Sequence, residues 1–217
     1  LKEKIRRSNF PMDQINKAKS ISIWIFIVPF VAVNTCLILI TQFHGLFPRP
    51  EEIIHPTFPY FDGGASISRT ARPYPSWLVF KPSMFLTSFL LIKYWLYNKR
   101  IISFFDKDHK NINKIVYFGI ASAIALTIHS IFLGIKFDND FYKLFRRVIM
   151  LMFIIFEVVA QAYLVSTLYS FKEKLSKYIN KTYLTLKIIL VSVLIIVAVI
   201  SIPIISLPGN DFFGFNL

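Results

Sequence analysis

Five apolar stretches alternate with short charged links along this chain, over residues 21–42, 78–98, 115–135, 147–170 and 183–206. A hydrocarbon core of ~30 Å is crossed by ~20 mostly apolar residues in a helix, and each stretch meets that length. The fifth shows the pattern best: from Ile188 to Ile200 only Ser192 interrupts the aliphatic run. A helix bathed in water would keep a polar face there. The pattern predicts an all-α polytopic membrane helix bundle of five transmembrane helices. Residues 1–217 then form one membrane domain, with a basic N-terminal segment at 1–20 and an outer loop at 43–77. The runs are too uniformly apolar to separate lipid-facing from buried sides.

The breaks between the runs carry the remaining local information. Residues 1–20 are polar and basic, with Pro11 read as a breaker and Asp13 and Ser20 as candidate N-caps. They suit a short interfacial helix or a flexible tail. Pro29 in the first run predicts a kink that neighbouring helices re-satisfy. Asn34 is expected to bond across to another helix, since an unpaired amide in hydrocarbon is costly. The 43–77 loop holds Pro48, Pro50, Pro56, Pro59, Pro73 and Pro75, which rule out a long regular helix. Its aromatic residues, among them Phe47, Phe58, Tyr60, Tyr74 and Trp77, predict a loop folded back on the helix ends, with Tyr74 and Trp77 at the membrane interface.

Composition agrees with the membrane reading. The hydrophobic fraction is 55% and the mean hydropathy +0.56, where ordinary globular chains are ~45–50% apolar even with glycine counted. The net charge of +13 does not point to nucleic acid, because the basic residues sit between membrane segments. Most of the 25 Lys and Arg fall at the N-terminus, around Lys93–Lys114 and around Lys172–Lys187. The other side receives only Arg49, Arg69, Arg72, Lys81, Lys136, Lys143, Arg146 and Arg147. The positive-inside rule then places the N-terminus on the cytoplasmic side or its equivalent. Phe43 to Phe47 offers no small-residue cleavage site, so the first run reads as a retained helix. The single cysteine, Cys36, allows no intrachain disulfide and lies inside the first run.

Few residues could carry chemistry. Glu157 stands near the middle of the fourth run, where an ionisable group costs at least ~2.5 kcal/mol and is a functional-site hypothesis. Gln161 lies one turn further on the same face. His129, in the preceding run, is expected at a similar depth on an antiparallel neighbour, close enough to form a polar spot with Glu157. The plainer reading is a hydrogen-bonded Glu157 that locks helix packing. Just outside the membrane, Asp62 to Arg72 combines Gly63-Gly64 with Ser66, Ser68, Arg69 and Arg72. Glycine-turn amides and guanidinium forks both suit a lipid phosphate; the plainer reading is a turn whose arginines pair with Glu51, Glu52 or Asp62. His44, Glu51, Glu52, His55 and Asp62 lack the spacing of a metal site. There is no nucleotide loop and no evident nucleophile with its base, so neither a cofactor nor an enzymatic activity is expected. Asn180-Lys181-Thr182 matches the N-glycosylation pattern but falls on the inner side.

The run Phe58-Pro59-Tyr60-Phe61-Asp62-Gly63-Gly64 to Ser68, followed by Trp77 to Tyr97, resembles the first outer loop and second span of the DRAM/Sfk-like multi-pass membrane protein family. The resemblance implies an inner N-terminus, a long first outer loop and compact helical hairpins. Members usually have six spans, one more than is read here, and no catalytic motif carries over. The partners expected are membrane lipids and other membrane protein subunits. The leading functional expectation is a non-enzymatic protein that binds or organises lipid, and the second is an accessory subunit of a larger membrane complex.

Overall fold

A computed structural model describes residues 2–49, 54, 67–135, 139–176, 178 and 180–206, without the side chains of 2–10, 68, 143, 181, 198 and 201–206. Every regular element among the described residues is helical: α1 (Lys2–Gln42), a 3₁₀ turn (His44–Leu46), α2 (Ile67–Ala71), α3 (Ser76–Phe105), α4 (Ile112–Phe132), α5 (Asp140–Ser170), α6 (Lys172–Leu175) and α7 (Lys181–Ser206). Three of them are long and apolar enough to cross a membrane: α1 over Pro11–Gln42, α4 and α5. Helix α3 is as long but carries Lys81 and Lys93 within it. The apolar part of α7 is described over Thr182–Val197.

The long helices pack in chain order, α1 on α3, α3 on α4, α4 on α5 and α5 on α7. One core joins Tyr94, Trp95 and Ile102 of α3 to Ile115 of α4, Leu164 and Leu168 of α5 and Leu184 of α7. A second joins Ala32 and Cys36 of α1, Phe80, Met84 and Leu91 of α3, and Ala123 and Leu126 of α4. A close approach of α3 to α4 depends on Gly119. Trp95 is fully buried against it, and a Cβ at 119 would overlap the indole ring. Small residues let membrane helices come together where lipid provides no hydrophobic drive between them.

The N-terminal segment departs from the sequence expectation. Pro11 does not break the chain; α1 runs through both Pro11 and Pro29. Pro11, Gln14, Ile15 and Ala18 are buried at helical spacing, and Ile15 and Ala18 pack on Ile101, with Tyr97, Phe105 and Tyr178 alongside. Burial of this face outweighs the hydrogen bond that proline removes. Asp13 and Ser20 therefore cap nothing; Asp13 pairs with Lys17 one turn on, at 2.7 Å. Asn34 donates to Phe30 O of its own helix at 2.8 Å. Cys36 faces protein rather than lipid and donates to Ser76 O at 3.3 Å.

The α4–α5 hairpin is shifted relative to the apolar pattern. Helix α4 stops at Phe132, where Gly134 takes a left-handed φ of +89°. Helix α5 begins at Asp140, ahead of the expected start at 147. Asn139 supplies its cap by accepting from Phe141 N at 3.0 Å, and Asp140 suits the helix dipole in the first turn. In the proline-rich connection, the described parts hold only the 3₁₀ turn and the five-residue α2. Phe47 and Ile54 pack on Ile40, which seats these parts on the end of α1.

Substitution of Gly119 by leucine should lower thermal stability in detergent by about 2 kcal/mol or more through overpacking against Trp95, while Gly45→Leu, where nothing lies within contact of an added Cβ, should leave it unchanged. Equal melting temperatures for the two variants would contradict this packing.

Candidate functional site

Two polar places lie against the helices, and the first surrounds Glu157. Gln161 Nε2 donates to Glu157 Oε1 at 2.9 Å, and Ser122 Oγ lies 2.7 Å from Oε2. Ser122 is fully buried and also lies 2.9 Å from Gly119 O. A hydroxyl has one proton to give, so a donor at position 157 would complete both contacts. Trp95 Nε1 approaches the same carboxyl without completing a hydrogen bond, and Lys187 of α7 is in electrostatic reach. Lys187 Nζ itself donates to Tyr94 OH at 2.9 Å. The cluster thus ties α4 to α5 and places α3 and α7 around the tie.

His129 does not join it. In an antiparallel hairpin where Ser122 meets Glu157, residues further along α4 meet residues earlier in α5. His129 accordingly lies towards the start of α5 and interacts with Arg146. The sequence expectation missed because both helix ends lie away from the edges of the apolar runs. His129 is about 5 Å along the axis from the hairpin end of α4, and Glu157 about 25 Å from that of α5.

The second place is a cavity of about 450 Å³ at the hairpin end, lined by Pro48, Arg49, Arg72, Pro73, Tyr74, Trp77, Lys81, Leu133, Gly134 and Ile135. Gly134 makes it possible, since an added Cβ would lie 3.1 Å from Arg72 O. Lys81 Nζ is held by Ile131 O at 3.1 Å and lies 5.4 Å from the centre of the Trp77 ring. Tyr74 and Trp77 pack with ring centres 6.5 Å apart. Arg72 is partly buried, and its Nε is sealed from solvent with no hydrogen-bond partner. Burial pushes its guanidinium below the ordinary value, and the charge of Arg146 acts in the same direction. The group still carries its charge at neutral pH. Three cations and two aromatic rings around one space suit an anionic group held at a membrane interface.

Of the residues expected to meet a headgroup, Arg72 lines this cavity. Arg69 is exposed on α2 and is not part of the lining. Ser68 lies in α2 with its side chain undescribed, while Ser66, Gly63-Gly64 and the 58–66 stretch behind the family resemblance lie outside the described residues. Arg49 and Lys81 were not expected together. The available signal was in the charge pattern: they are among the few cations outside the three basic clusters of the sequence. Comparison with protein-family models, curated proteins and solved structures found no match to this chain.

Replacing Glu157 by glutamine, which offers a donor and an acceptor to the same neighbours, should leave the melting temperature in detergent nearly unchanged. Glu157→Leu should cost about 1–2 kcal/mol by removing the tie and orphaning Gln161. Equal stability of the leucine variant and the parent would show that the cluster does not hold the hairpin.

Proposed function

We propose that this chain is an integral membrane protein of five crossings that binds or organises lipid without catalysing a reaction. Its N-terminus lies on the cytoplasmic side or its equivalent, and a headgroup occupies the cavity at the opposite face. The first, third and fourth crossings are α1, α4 and α5; the second and fifth are α3 and α7. Lys81 and Lys93 within α3 are compatible with a crossing. Lys81 reaches the end of α4, and Lys93 lies 4.4 Å from the centre of the Phe89 ring, where an aromatic face offsets part of the desolvation. The inner N-terminus and long first outer loop are those implied by the DRAM/Sfk-like resemblance, with one crossing fewer than its usual six.

The observation that carries the reading is the convergence of Arg49, Arg72 and Lys81 with Tyr74 and Trp77 at one end of the apolar helices. Cations are uncommon on the outer side of such a chain, so their gathering around a cavity asks for an anionic occupant.

A second reading, an accessory subunit, is supported by an apolar groove of about 430 Å³ on α4 and α5, bordered by Tyr117, Ala121, Ile124, Met152 and Phe156. A stoichiometric membrane partner in gentle detergent would favour it over the lipid reading.

In native mass spectrometry, an Arg72→Ala, Lys81→Ala double variant should retain about tenfold less anionic lipid than the parent, reflecting lost charge-assisted contacts. Lys107→Ala, at the other end of the bundle, should retain the parental level. Undiminished lipid on the double variant would remove the headgroup reading.

A further inference from the structure

Behind the cavity, three separate elements bring unsatisfied nitrogens towards one another. Arg72 follows α2, His129 is in the last turn of α4 and Arg146 is in the second turn of α5. Arg72 Nε, His129 Nδ1 and Arg146 Nε are each sealed from solvent, and none has a hydrogen-bond partner. Native interiors satisfy nearly all such groups, and an unsatisfied one calls for an absent ion or water. Seven buried side-chain atoms among the described residues are in this state, and these three fall in one neighbourhood.

The geometry around them is fixed rather than fluid. Tyr142 OH donates to Phe132 O at 2.7 Å, and the Arg146 guanidinium carbon lies 5.9 Å from the centre of the Tyr142 ring. Phe132 leads directly into Leu133 and Gly134, which line the cavity, and Gly134 lies beside Arg72. Arg146 interacts electrostatically with both Arg72 and His129. Arg146, through Tyr142, and Arg72 thus approach the same short stretch, Phe132 to Gly134, from two elements, and an anion bound between like charges there would relieve their repulsion.

We propose that Arg72 and Arg146, with Lys81 of the cavity lining, form a recognition site for a phosphomonoester dianion. The proposal rests on the headgroup reading of the cavity and names the chemistry of its occupant. Donors arriving from α5, from the segment after α2 and from α3 need acceptor oxygens facing several ways. A terminal phosphate presents three such oxygens, and guanidinium forks bind them in pairs. A phosphodiester has one negative charge and two free oxygens; a monoester carries about −1.5 to −2 near neutral pH and matches the second arginine. The same chemistry is offered by a lipid with a bare phosphate headgroup and by free inorganic phosphate.

The test uses the full chain, purified in detergent and stripped of lipid. Its binding is measured for dioctanoyl phosphatidate, for dioctanoyl phosphatidylglycerol and for inorganic phosphate. The parent should bind the phosphatidate about tenfold more tightly than the phosphatidylglycerol, a difference of ~1.4 kcal/mol. Arg146→Gln should abolish that preference, bringing the phosphatidate affinity down about tenfold relative to phosphatidylglycerol. Inorganic phosphate that displaces the phosphatidate at equal concentration would assign the site to the soluble ion; failure to displace it would assign the site to lipid, and both outcomes support the dianion chemistry. Equal affinity for the two lipids in the parent, which requires no variant to fold, would overturn the proposal and leave the headgroup reading standing. A preference that survives Arg146→Gln would overturn the role of the second arginine. Binding of none of the three would overturn both the proposal and the headgroup reading.

Discussion

Everything in this structure follows from the surroundings that its exposed side chains require. Phe26, Phe30 and Val31 on α1, Leu86 and Phe89 on α3, and Ile189, Leu190 and Ile196 on α7 all point away from the protein. Water would penalise each by about 1.5–3 kcal/mol relative to burial, whereas hydrocarbon accepts them without cost. Hydrocarbon in turn satisfies no backbone amide or carbonyl, so a segment that enters it must close its own hydrogen bonds as a helix. Sequences as rich in β-branched residues as α7 favour strands in other settings; the proposed crossing accounts for their being helical here.

The same surroundings decide what happens to polar side chains. Most hydroxyls bond back to their own helix: Ser83 to Val79 O, Thr87 to Ser83 O, Thr127 to Ala123 O and Ser130 to Leu126 O. These bonds neutralise the hydroxyl without joining helices. Side-chain pairs that join helices are fewer and correspondingly specific, among them Glu157 with Ser122 between α5 and α4, Lys187 with Tyr94 between α7 and α3, and Asn111 with Thr167 at the far end of the hairpin; Cys36, Lys81 and Tyr142 reach backbone carbonyls of a neighbouring helix. With no hydrophobic drive between helices in lipid, close packing such as Trp95 against Gly119 and these few bonds carry the specificity. Charge is pushed to the ends, and at the hairpin end it gathers around a cavity.

Much of the helical content was legible because hydropathy reports the need for hydrocarbon directly. The run ending at Ser206 and the run containing Glu157 both became helices, and Gln161 bonds to Glu157 as its one-turn spacing implied. What failed has a common cause: apolar saturation removes the periodicity that marks a buried face. Nothing in the run around Cys36 marked it as facing Ser76 rather than lipid. The edges of the runs were poor guides to the helix ends, because Asn139 caps α5 before the apolar residues begin and Gly134 ends α4 before they stop. That offset sent His129 to Arg146. At the N-terminus the face made by Pro11, Gln14, Ile15 and Ala18 was regular, but the proline was given more weight than its spacing. The cavity was out of reach for a different reason. Arg49, Arg72, Lys81 and Arg146 are far apart in the chain, and only the packing of α1, α3 and the hairpin brings them to one end.

The central claim is that hydrocarbon surrounds five helical crossings, and sidedness tests it most directly. Single cysteines introduced into a Cys36→Ala background at Lys17, Tyr74, Lys107 and Asn139 can be probed with a membrane-impermeant maleimide in sealed, oriented vesicles. The account predicts that Lys17→Cys and Lys107→Cys react from one face, and Tyr74→Cys and Asn139→Cys only from the other. Labelling of Tyr74→Cys and Lys107→Cys from the same face would show that α3 does not cross, and the account would fail.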